Sequence, residues 1–119
     1  MPQINCYTVY KYKKLNNDSA VKLSERLLEL FRRSERFFKD DKYMRKSIGM
    51  HYKPDENLIS DLVLQWRYFR DDCVLLRKTY LSVIWRLRVK AWIEQADEHI
   101  ELLYSYLSNS APVNLAEGV

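Results

Sequence analysis

From Asp55 to Leu107 the chain carries no glycine and no proline. Within that stretch Ile59, Leu62, Trp66, Phe69, Cys73, Leu76, Tyr80, Val83 and Leu87 follow one another in alternating steps of three and four. That spacing marks one face of an α-helix and is incompatible with the two-residue period of a strand. The next seam positions are Lys90 and Glu94, where the apolar pattern fails. A second stripe, Ile93, Ala96, Ile100, Leu103 and Leu107, then begins one residue out of phase. The shift predicts a drift or a break of the helix near 88–92. Leu64, Val74, Leu75, Leu81, Ile84, Trp85 and Trp92 lie off the seam. A helix apolar on more than one side needs cover from several neighbours. A short chain has few to offer, so the seam of Ile59, Leu62, Trp66, Phe69, Leu76, Tyr80, Val83 and Leu87 is also expected to bind a second copy or a helical partner protein.

Upstream, Ala20, Leu23, Leu27, Leu30 and Phe37 recur at helical spacing, widened by Leu28, Phe31 and Phe38. Asn16, Asn17, Asp18 and Ser19 are residues that favour a helix N-cap. The pattern therefore predicts an amphipathic helix from about 18 to 39, reaching as far as 47, with Gly49 as its stop. Asp55 and Glu56 after Pro54 suit a new first helical turn. Residues 4–12 are β-branched and aromatic and read as an extended arm. The expected fold class is all-α, a three- or four-helix bundle. It has a short extended N-terminal arm over 1–17, a helical domain over 18–108 with a long central heptad-patterned helix, and a flexible C-terminal tail over 109–119.

Two glycines and three prolines in 119 residues are too few for the turns of a β-sandwich or barrel. Glycines only at 49 and 118 exclude the Gly-rich phosphate loops. With 47% hydrophobic and 30% charged residues the chain is not a disordered one. The longest uncharged apolar run, Thr79–Trp85, is far shorter than a membrane span. No basic-then-apolar leader is seen, and Cys6 and Cys73 read as free thiols, so the expected location is cytoplasmic.

No catalytic residue, metal site or cofactor is expected. The histidines are His51 and His99 alone, and there is no CxxC or HExxH pattern. The spacing of Arg45 and His51 is similar to the Arg/His pair of HEPN-type ribonucleases. In that family both residues lie on one helix and reach one phosphate. Here Gly49 is expected to end the helix between them, and Lys46 stands where the family has a polar residue.

Net charge is +4, unevenly spread. Residues 1–54 hold 13 Lys/Arg against 6 Asp/Glu, whereas 91–119 hold five acids and no base. Taken as one continuous helix, Arg67, Arg70, Arg77 and Arg88 fall within about 50° of one another along about 31 Å, with Lys78 beside them. Arg32, Arg33, Arg36 and Lys39 offer a second basic surface. Guanidinium groups in a row, interleaved with aromatics, suit phosphates. The sequence thus points to a non-enzymatic accessory or regulatory protein contacting nucleic acid or another polyanion within a nucleoprotein assembly. A protein-only adaptor or inhibitor, binding through its apolar helix face, is the alternative.

Overall fold

The computed structural model describes residues 6–110 and contains three long helices. Helix α1 spans Cys6–Ile48, α2 Glu56–Arg77 and α3 Val83–Ser110, with a single 3-10 turn at Gly49–His51 between the first two. α2 runs antiparallel to α1, and α3 returns alongside it. The molecule is a rod of 63 × 30 × 20 Å, its length set by α1.

One seam of α1 faces the bundle: Ala20, Leu23, Leu27, Leu30, Ser34, Phe37 and Asp41, all buried, in unbroken steps of three and four. The helix ends where glycine permits it, with Gly49 at φ +77°. Asp55 caps α2, accepting hydrogen bonds from the Asn57 and Leu58 amides at 2.9 and 3.3 Å. Ile59, Leu62, Trp66, Phe69, Cys73 and Leu76 form the buried side of α2. Val89, Trp92, Ala96 and Leu103 are their counterparts on α3.

The reading of residues 4–12 as an extended arm is corrected from Cys6 onward: that segment is the first part of α1. A lone strand would leave its backbone groups unpaired, whereas a helix satisfies its own. Nothing between Gln3 and Ile48 breaks a helix. The predicted cap residues serve elsewhere. Asn16 Nδ2 donates to the Tyr80 carbonyl at 3.0 Å, Asn17 Oδ1 accepts from the Ser82 amide at 3.2 Å, and Ser19 Oγ donates to the Leu15 carbonyl one turn back. The expected tail from 109 is corrected at its start, since α3 reaches Ser110; its remainder lies outside the described residues, as do residues 1–5 of the arm.

The continuous central helix is also corrected. It breaks at residues 78–82, not 88–92. The last turn of α2 tightens into bonds from the Lys78 and Thr79 amides to the Leu75 and Leu76 carbonyls, and Thr79 Oγ1 donates to the Leu76 carbonyl at 2.6 Å. Leu81 then plugs the end of the core at 1% exposure. Ser82 accepts from the Arg86 amide and so opens α3. Side-chain competition for backbone carbonyls and the hold of Asn16 and Asn17 make a turn where no glycine or proline does.

Candidate polyanion-binding end

The break changes what the heptad means. Its first six positions are core, but Tyr80, Val83 and Leu87 are 44, 69 and 63% exposed. Of the expected partner-binding seam, Ile59, Leu62, Trp66, Phe69 and Leu76 are consumed inside this chain. Trp66 is the centre of the core. Its Nε1 donates to Ser34 Oγ at 2.8 Å, and its ring stacks on His99 with centroids 4.3 Å apart. His99 is thereby a packing residue, its Nδ1 2.8 Å from the Gln95 carbonyl.

The single arginine row does not form. Arg70 lies between Asp97, to which its Nε donates, and Asp71 at 4.0 Å. Arg67 donates to the Tyr104 hydroxyl at 3.4 Å. Arg88 sits across the turn on α3, its guanidinium 5.0 Å from the Trp85 ring centre. Arg77 and Lys78 remain exposed at the tip of the α2–α3 hairpin. On α1, Arg33 pairs with Asp61 at 2.8 Å and Arg26 with Asp72, bolting α1 to α2. Arg32, Arg36 and Lys39 line a shallow cleft of about 270 Å³ together with Glu35 and Asp40. Lys39 reaches Glu35 at 3.2 Å, so that surface is of mixed sign.

The three helices gather a different cluster. Asn16 and Asn17 fix the hairpin tip against α1, so the first turns of α1 extend beyond the tip by about 15 Å, ten residues at 1.5 Å each. Lys11, Lys13, Lys14 and Lys22 thereby join Arg77, Lys78, Arg86, Arg88 and Lys90 at one end of the rod, every one exposed. Residues 6–22 and 72–90 hold nine bases against Asp18 and Asp72, a local charge of +7. Tyr10, Tyr12 and Tyr80, 67, 50 and 44% exposed, stand among them. Residues 40–61 and 94–110, toward the opposite end, hold four bases against nine acids, or −5. The lysines of residues 11–14 belong to this cluster only because the segment that carries them is helical. An arm reading detaches them from it.

The opposite end is closed by a polar knot. Asp41 is buried and accepts from Arg45 Nε at 2.8 Å; its other oxygen makes no hydrogen bond among the described residues. The Arg45 guanidinium, held charged by that bond, lies 5.6 and 5.9 Å from the Tyr52 and Tyr106 ring centres. Burial, and then the Asp41 charge, pushes both phenols above their ordinary range. His51 lies beyond the end of α1, exposed, so it and Arg45 do not share a helix. Among the described residues no three His, Cys, Asp or Glu side chains are grouped to hold a metal ion, and no helix is long and apolar enough to cross a membrane. No protein-family model, no curated protein and no solved structure matches this chain.

Proposed function

We propose that the chain is a non-enzymatic accessory protein that binds nucleic acid, or a polyanion of similar charge density, through the basic end of its rod. One observation carries this reading: nine exposed Lys and Arg from three helices and the α2–α3 turn gather at one end, with two acids and three exposed tyrosines among them. Phosphates along a strand neutralise such a cluster by counterion release, and exposed aromatic rings offer stacking to unpaired bases. Arg77, Lys78 and Arg88 are retained from the sequence reading, and Lys11, Lys13, Lys14, Lys22, Arg86 and Lys90 are added.

The test is fluorescence anisotropy with labelled single-stranded and duplex DNA and RNA oligonucleotides over a salt series. Binding is expected at low salt and falls linearly on a log–log plot. Changing Arg77 and Lys78 to Gln makes the slope shallower by about two, with thermal melting unchanged. Arg70→Gln, which removes a group already held by Asp97, leaves the slope as it was. Absence of binding by the parent at low salt overturns the proposal. It then favours the protein-only adaptor, for which the exposed Val83, Ile84 and Leu87 on α3 are the supporting observation.

A further inference from the structure

We infer that the outward face of α3 is the interface of an antiparallel homodimer. Val83, Leu87, Lys90, Glu94, Asp97 and Glu101 continue in alternating steps of four and three, and Tyr104 completes the row. This is the same register that makes the core of α2, carried across the turn and left facing outward. Val83 and Leu87 are the more exposed of its apolar members, at 69 and 63%, and Tyr104 is 42% exposed. Beside the row lies a groove of about 450 Å³ between α2 and α3, with Leu64, Tyr68, Ile100 and Tyr104 on its walls and the Arg70–Asp97 ion pair among its charged lining. Leu64 and Tyr68 are themselves 44 and 53% exposed.

The charges of the row choose the occupant. Lys90 on the row and Arg86 beside it lie in its first half, and the acids Glu94, Asp97 and Glu101 in its second. A second copy laid antiparallel about a two-fold axis between Ile93 and Glu94 sets bases against acids on both sides of the axis, with the two Glu94 side chains beside the axis itself. Val83 then meets the partner's Tyr104, and Leu87 meets the partner's Ile100. Arg86 meets the partner's Glu101, and Lys90 comes to the partner's Asp97, a carboxylate that also holds Arg70 within its own chain. A parallel copy sets Arg86 on itself and Glu101 on itself, which is repulsive. The whole rod agrees, because antiparallel packing lays its +7 end along the −5 end of the other copy. The five exposed apolar and tyrosine side chains present on the order of 500 Å², at roughly 150–250 Å² per aromatic and somewhat less per aliphatic residue. With the charged positions between them, the face approaches the roughly 800 Å² that one partner gives to a standard interface. An isologous contact of this kind closes on itself and does not propagate. The interface uses the flank of the rod: Arg86 and Lys90 are shared with the basic end, whereas Val83, Leu87 and Tyr104 belong to the flank alone.

The test is light scattering on the full chain after size exclusion, at micromolar concentration and in nuclease-treated samples. A mass of twice 14.4 kDa is expected. Leu87→Asp is expected to give a monomer of unchanged helix content, because Leu87 is 63% exposed in its own chain and lies outside the core. Arg86→Glu raises the dimer Kd about tenfold through two symmetric like-charge contacts, and adding Glu101→Arg restores it. In a Cys6→Ser background, Glu94→Cys forms an intermolecular disulfide at the axis and Val83→Cys does not. A monomeric parent overturns the inference. So does a dimer indifferent to Leu87→Asp, a failed rescue by Glu101→Arg, or cross-linking at 83 in place of 94.

Discussion

Two buried side chains show how single atoms decide stability here. Ser34 sits on the apolar seam of α1 where its neighbours are leucine and phenylalanine, and it is there to accept from Trp66 Nε1. Ser34→Ala leaves that donor buried without a partner. It is expected to cost about 1–3 kcal/mol, read as a lower denaturation midpoint at constant slope. The sequence shows Trp66 as core through its heptad position, but nothing in local spacing links it to a serine 32 residues away. Cys73 is fully buried, and burial pushes its thiol up to about 12. With Cys6 changed to Ser, Cys73 is expected to resist thiol reagents until the protein unfolds. The raised thiol, with the raised Tyr52 and Tyr106 phenols, binds its proton more tightly folded than unfolded. The stability this confers is complete below the unfolded values of 9.0 and 10.0 and is lost as pH rises through the folded ones. Melting temperature should therefore fall on the alkaline side from about pH 9 upward.

At the scale of elements, what could be read from sequence was whatever a single helix decides for itself. The α1 seam, its stop at Gly49 and the buried stripe of α2 follow from spacing and from one left-handed glycine. The turn at 78–82 does not. Its residues are Lys, Thr, Tyr, Leu and Ser, and the bonds that hold it come partly from Asn16 and Asn17, more than sixty positions upstream. Those same asparagines mimic a helix start when only their neighbours are considered. Asn17→Ala is expected to cost about 1 kcal/mol and to speed amide exchange in residues 79–86 several-fold, while exchange in the middle of α2 slows or speeds only with global stability. Asp55→Ala, which removes the α2 cap, costs a similar amount but accelerates exchange at residues 57–60 instead. The two profiles separate a tertiary clamp from a local cap.

At the scale of the whole molecule, charge along the sequence and charge in space differ. The basic first half and acidic last segment are visible in the residue counts. That the bases of α1 and those around the hairpin share one end depends on the chain folding back twice. The arginine row read along one helix dissolved for the same reason, because Asp97 and Tyr104 come round from α3 to occupy Arg70 and Arg67. If both the tip and the flank act as proposed, the dimer carries a basic tip at each extremity. Duplex DNA bound to one tip is then expected to recruit a second duplex, measured as capture of labelled duplex on beads that carry unlabelled duplex. Leu87→Asp should abolish capture and keep simple binding. Loss of both together would mean that the tip and the flank are one site.

If the basic tip binds a strand as proposed, the dimensions of the rod set how much of that strand one copy occupies. Its tip measures about 30 by 20 Å in section against a length of 63 Å. At about 3.4 Å per nucleotide along one strand, a molecule standing on its tip shades roughly nine nucleotides. Lying along its length it would shade about twice that number. Saturation stoichiometry on a long homopolymer therefore reports posture directly. The dense value belongs to copies that stand upright like bristles on a brush, where like charges keep neighbouring bristles apart.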